Sequence, residues 1–106
     1  MADTHTPLDI IEMRSSARTV TALLRALANE DRLLLLCQMT HGEKSVSELE
    51  AQLDIRQPTL SQQLGVLRTE GLVTTRREGK RIYYTVADPK LLALLNTLYT
   101  LYCQAE

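Results

Sequence analysis

The chain has 106 residues, 44% hydrophobic and 24% charged, with a formal net charge of −1. That describes one domain, 1–106, with a modest core, and the core must be aliphatic because Phe and Trp are absent. No stretch approaches about 18 continuous apolar residues and MADTHTPLD has neither the charged start nor the apolar run of a signal peptide, so no membrane partner and a cytoplasmic location are expected.

Residues 1–6 are polar and expected to be disordered. From Pro7 to about Ala28, Ile10, Met13, Ala17, Val20, Leu24 and Leu27 recur at three-and-four spacing, which predicts a long amphipathic helix. Asn29 can cap the next helix, with Glu30 and Asp31 in its first turn. That helix runs from Glu30 to about Thr40, carries Leu33-Leu34-Leu35-Leu36-Cys37, and stops at His41-Gly42. It should be central to the core.

Residues 46–71 read as a helix-turn-helix. Ser47 with Glu50 matches a capping box, and Leu49 with Leu53 gives the first helix an apolar stripe. Asp54-Ile55-Arg56 forms the turn. The second helix begins near Gln57 with Pro58 in its first turn and stops at Gly71. At roughly 100° per residue, Leu60, Leu64 and Leu67 share one face. Pro58, Ser61, Gln62 and Gly65 lie opposite, with Thr59, Gln63 and Val66 at the flanks. This small, polar, nearly uncharged face suits a major groove, where amides pair with adenine edges and hydroxyls with most edges. Gln57, Thr59, Ser61, Gln62 and Gln63 are therefore the candidate base-reading residues. A polar helix that merely faces solvent has the same pattern.

Residues 72–86 follow as two β-branched and aromatic runs, Leu72 to Arg77 and Arg81 to Val86, separated by Glu78-Gly79-Lys80, which predicts a hairpin. A helix-turn-helix followed by a hairpin is a winged helix, so the expected fold is mainly α with a β-hairpin wing, in the order α-α-α-α-β-β-α. Charge follows the same division: Arg56 to Arg81 holds six basic residues against two acidic ones, while residues 1–55 carry a net −4 and residues 82–106 a net −1. Such a confined basic patch is the footprint of phosphate binding. Arg77, Lys80 and Arg81, in or beside the wing's turn, are the candidate phosphate contacts on double-stranded operator DNA.

Asp88-Pro89 opens a last helix, 89–103, whose apolar residues form two arcs: Leu91, Leu94, Leu98, Leu101 and Tyr102, and Leu92, Leu95, Tyr99 and Cys103. One arc can serve the core and the other a second copy, with Leu94 and Leu98 assigned to the seam. A homodimer joined through its first and last helices would place two reading heads about one DNA turn apart. The alternative buries both arcs within the monomer.

No enzyme is expected. No His neighbours either Cys in sequence, and there is no CxxC, Ser/His/Asp set or glycine-rich phosphate loop. His5 and His41 stand alone. A winged helix that binds only protein remains open. Two cysteines in a reducing compartment are no structural framework. Cys37 in a Leu-rich helix suits a small buried hydrophobe, yet two thiols on approaching core helices also form a two-electron switch, one attacked first and the other resolving.

In ALANEDRLLLLCQM (Ala26 to Met39), in Ser45 to Val86 and in the terminal LYTLYCQ, the chain resembles the ArsR/SmtB family of small dimeric winged-helix repressors over nearly its whole length. The metal-sensing branch would need Cys within Glu48 to Asp54, where Glu50, Ala51 and Gln52 stand. Its last-helix site would need His and carboxylates, which Pro89 to Cys103 lacks. No metal or cofactor is implied. RLLLLC, QPTLSQQLGVLR and LYTLYC look closer to the sulfide- and persulfide-responsive branch, of the BigR and SqrR type. That resemblance implies that Cys37 and Cys103 are the redox-sensing pair, bridged by a short sulfur chain after reaction with a persulfide or polysulfide inducer. Operator DNA would be bound in the reduced state and released afterwards. Leu33 and Leu36 should shield Cys37 while Cys103 should be more accessible, so Cys103 is expected to be attacked first and Cys37 to resolve. General oxidant sensing through a plain disulfide, and an ArsR-type regulator with structural cysteines controlled by another ligand, remain open.

Overall fold

The computed structural model describes residues 9–103; the expected disorder of residues 1–6, and His5, lie outside them. The elements are α1 (Ile10–Leu27), α2 (Glu30–Met39), β1 (Lys44–Ser45), α3 (Val46–Leu53), α4 (Thr59–Thr69), β2 (Val73–Glu78), β3 (Arg81–Val86) and α5 (Pro89–Tyr102). Five helices and an antiparallel sheet of order β1-β3-β2 make a winged helix. Among the described residues no helix is long and apolar enough to cross a membrane.

Helix starts are set by side-chain caps. Asp9 accepts from the Ile11 N–H at 2.9 Å, Asn29 from the Arg32 N–H at 3.0 Å, and Asp88 from the Lys90 N–H at 2.8 Å with Pro89 at the first helical position. At α3 the capping box lies two residues earlier than expected. Ser45, not Ser47, is the N-cap: its hydroxyl accepts from the Glu48 N–H at 3.2 Å while the Glu48 carboxylate accepts from the Ser45 N–H at 2.8 Å. The cause is β1, which the sequence did not predict. Lys44 and Ser45 pair with Tyr84 and Tyr83 of β3, leaving Ser45 extended and at the mouth of the helix. A two-residue strand is too short to display an alternating pattern.

The wing differs by one residue in its turn. Glu78 pairs with Arg81, so the connection is Gly79-Lys80 alone, with Gly79 at φ +63°. This is the left-handed conformation that two-residue hairpin loops require and glycine adopts without a Cβ penalty.

The core gathers one face of nearly every element. Leu35, Leu36, Leu49, Leu60 and Leu67 are 0% exposed, and Met39, Ile55, Leu64, Val73, Tyr84, Leu91 and Leu95 complete it. Asp54 at φ +55° closes α3 and turns the chain so that Ile55 is buried. In α5 the two expected arcs do not separate into core and surface. The buried pair, Leu91 and Leu95, comes from one arc each, and Leu92, Leu94 and Leu98 are half-buried beside it. An i, i+4 pair centres the inward face, so the boundary drawn from spacing fell through its middle. Beyond Leu98 the helix outruns the core: Tyr99, Leu101 and Tyr102 are 60%, 67% and 81% exposed. On α1, Ile10, Ile11, Met13, Val20 and Leu24 are exposed as well.

Ser45→Ala should lower stability by about 1 kcal/mol, because the cap is lost at a buried position. Urea unfolding should show a lower midpoint at unchanged slope; an unmoved midpoint would show that the box contributes nothing.

Candidate nucleic-acid interface and thiol pair

Burial of Leu60, Leu64 and Leu67 turns the opposite side of α4 outward, and Thr59, Ser61, Gln62 and Gly65 are exposed there. Gln57 does not begin the helix, as expected, but precedes it. Pro58 supplies no side-chain cap. Instead the Gln57 Oε1 accepts from the Ser61 N–H at 3.1 Å and from the Ser61 hydroxyl at 2.5 Å, so Gln57 caps α4 from outside it. Gln63 differs more. It is half-buried, and its Oε1 accepts from the Arg32 Nη1 of α2 at 2.8 Å. Sequence spacing put it on the flank of the outer face; an arginine 31 residues away holds it inward.

Arg77, Lys80 and Arg81 are exposed at the tip of the wing, and Arg56 and Arg68 are exposed at either end of the reading segment. Arg56 lies 3.7 Å from Asp54 with both side chains more than 80% exposed, a contact that water and salt leave weak. Arg76 is different. Its Nε and Nη2 donate to the two Glu43 oxygens at 3.1 and 2.6 Å, its Nη1 donates to Glu78 at 2.9 Å, and its guanidinium lies 4.7 Å over the ring of Tyr83, its cross-strand partner. The hydrogen bonds from Arg76 hold the Glu43 carboxyl below the usual carboxylate range, and those carboxylates hold the guanidinium proton more tightly still. Arg76 therefore ties the wing to the segment after α2, and its charge is largely compensated. Sequence reasoning missed this role because Glu43 is 33 residues away.

Cys37, on α2, is half-buried against the core, and Cys103, the C-cap of α5, is exposed. Burial pushes the Cys37 thiol up, and the negative charge of Cys103 pushes it further. A cavity of about 370 Å³ opens beside Cys37, lined also by Leu34, Gln38, Thr40, Leu95 and Tyr99. His41, expected as an isolated surface residue, is exposed and lines the same cavity.

The family described as "Bacterial regulatory protein, arsR family" matches residues 29–75. The biofilm growth-associated repressor of Agrobacterium fabrum is 53% identical over 105 residues, covering 94% of this chain and 90% of its own length. The crystal structure of the transcriptional repressor BigR from Xylella fastidiosa superposes with a TM-score of 0.87 at 47% identity, over 92% of this chain and 100% of that one. The homodimeric winged helix-turn-helix DNA-binding domain of a Mycobacterium bovis protein, described as a possible ArsR-family regulator, superposes with a TM-score of 0.73 at 30% identity, over 84% of this chain and 83% of that one.

The thiolate is the reacting form, so a raised Cys37 thiol should react slowly near neutral pH and faster as pH rises. Timed iodoacetamide labelling read by mass spectrometry should find the exposed Cys103 modified before the half-buried Cys37 at pH 7, and labelling of Cys37 should speed up toward pH 9. Faster labelling of Cys37 at pH 7 would reverse the order of attack.

Proposed function

The chain belongs to the arsR family of bacterial regulatory proteins, and from that premise we propose a homodimeric transcriptional repressor whose grip on operator DNA is gated by Cys37 and Cys103. The observation that carries the gating is that the cavity beside Cys37 on α2 is also lined by Tyr99 of α5, whose carbonyl accepts from the Cys103 N–H at 2.8 Å one turn on.

Base reading falls to the exposed Thr59, Ser61 and Gln62, with Gln57 steadying the start of the helix. Arg77, Lys80 and Arg81 hold the phosphates, and Arg56 and Arg68 add to the field. One such head spans few base pairs. The exposed apolar faces of α1 and of the end of α5 support a two-fold dimer that spaces two heads by about 34 Å, one DNA turn. The repressor acts in the cytoplasm, where its DNA is, and performs no catalysis.

The inducer is a persulfide, RSSH, or a polysulfide. The Cys103 thiolate attacks its outer sulfur, the S–S bond breaks, and RS⁻ leaves a Cys103 persulfide. The Cys37 thiolate then attacks the Sγ of Cys103 itself and expels the outer sulfur as HS⁻. Two thiols and one RSSH thus become one disulfide, RSH and H₂S. If a second RSSH first lengthens the Cys103 persulfide by one sulfur, attack on the middle sulfur gives a trisulfide with the same leaving group. Either bridge fixes α2 to the end of α5, alters the dimer frame and moves the heads off the spacing of one turn, so affinity falls without a ligand near the DNA. A peroxide could close the plain disulfide, and the exposure of Cys103 favours that second reading equally. A trisulfide mass in the bridged peptide marks the persulfide; where the bridge is a plain disulfide, separate exposure to persulfide and to peroxide with operator binding as readout separates them.

Gln62→Ala should lose roughly 1–3 kcal/mol on operator with little change on random DNA; equal losses on both would reject base reading. Lys80→Ala should reduce the salt slope of binding by about one unit at unchanged sequence preference, and an unchanged slope would remove it from the phosphate contacts. Cys37→Ser and Cys103→Ser should each bind operator as the reduced protein does and ignore persulfide. Release of either variant to the wild-type extent would end the dithiol mechanism.

A further inference from the structure

The C-terminus of α1, the start of α2 and the middle of α4 meet at one guanidinium. Arg32 Nε donates to the Ala26 carbonyl at 2.7 Å, Nη2 to the Arg25 carbonyl at 3.3 Å, and Nη1 to the Gln63 Oε1 at 2.8 Å. The two carbonyls belong to the last turn of α1, which carries partial negative charge; that of Arg25 also accepts from the Ala28 N–H at 3.2 Å. The Arg32 backbone is itself fixed, since its N–H donates to the Asn29 cap. A planar fork of five donors can hold three acceptors in fixed directions at once; an ammonium cannot.

The rest of the contact between α4 and the core is apolar, through Leu60, Leu64 and Leu67. Apolar burial fixes how deeply a helix sits but has no direction of its own. Among the described residues, the bond from Arg32 to Gln63 is the side-chain hydrogen bond that joins α4 to another helix. It also engages the oxygen that a Gln amide needs for bidentate pairing with adenine.

We propose that Arg32 and Gln63 form a clasp that sets the roll of α4 on α1 and α2, making Gln63 a positioning residue for operator recognition and not a base reader. This rests on the reading of α4 as the recognition helix. Arg32 shares α2 with Cys37, so the clasp also carries a displacement of α2 to the reading face.

The test uses the full-length reduced protein and a duplex selected by wild type from a random-sequence pool, with random DNA as reference. Gln63→Ala and Arg32→Lys should each lower the operator-to-random affinity ratio about tenfold, the size of one hydrogen bond to a charged group. Persulfide should then produce a smaller further drop than in wild type. Gln63→Glu keeps the acceptor and strengthens it as an ion pair, while deleting the amide donor and placing a carboxylate near the groove. It should hold the ratio within about threefold of wild type, and its persulfide response should be normal. Unfolding midpoints give the folded fraction, so ratios are compared among folded molecules. Loss of discrimination in Gln63→Glu equal to that in Gln63→Ala would make Gln63 a base reader and overturn the proposal. A wild-type ratio in both Gln63→Ala and Arg32→Lys would overturn it too. If the selected duplex shows no preference even with wild type, the recognition-helix reading falls, and the clasp falls with it.

Discussion

The packing of α2 against α4 is the constraint on which the rest of the molecule depends. α2 has ten residues, fewer than an isolated helix needs to persist in water, so its helicity is a product of burial. Leu35, Leu36 and Met39 are at most 2% exposed and meet Leu60, Leu64 and Leu67 of α4 in one cluster. An interior packed to crystal density has two ways to accommodate a shifted helix: move its neighbours or open a void. Cys37 and Arg32 both sit on α2, one half-buried toward the end of α5 and the other holding Gln63. The proposed sensor thus lies on the same short helix whose Arg32 holds α4, the helix that bears the proposed reading face.

Electrostatics divides the work differently. The net charge of −1 conceals a basic reading segment, but the charges within it are not equivalent. Arg76 is paired with Glu43 and Glu78 and stacked on Tyr83, which braces the middle of the wing and leaves Arg77, Lys80 and Arg81 exposed toward its tip. A braced hairpin with exposed cations at its end holds the proposed phosphate contacts at a defined distance from α4. In the proposed dimer that distance determines whether both heads can engage one duplex.

The five helices, the wing and the helix-turn-helix were legible because each is written in local signals: three-and-four apolar spacing, Asn29 and Asp88 as caps, Gly42 and Gly71 as stops. What was not legible depends on partners distant in the chain. β1 has two residues, and its pairing with Tyr83 and Tyr84 moved the cap from Ser47 to Ser45. The Ser-x-x-Glu spacing occurs twice in SVSELE, and it takes the strand to choose between the two. Gln63 was misplaced because angular position on a helix says nothing of an arginine 31 residues away, and Arg76 was only summed into the basic segment, since its partner Glu43 is 33 residues away. The α5 arcs were drawn correctly as apolar and divided wrongly, since periodicity gives relative angle and not the direction of the core. Both cysteines were found by sequence. That Tyr99, one turn before Cys103, lines the cavity beside Cys37 came from the fold.

The central claim is that joining Cys37 to Cys103 changes the spacing of two recognition helices. Pulsed electron resonance can measure that spacing with a spin-labelled noncanonical amino acid at position 69, the exposed last residue of α4, which leaves both thiols untouched. The reduced dimer should give a narrow intersubunit distance compatible with heads about 34 Å apart, and persulfide should shift or broaden it in step with loss of operator binding. Loss of binding with an unchanged distance distribution would contradict the claim.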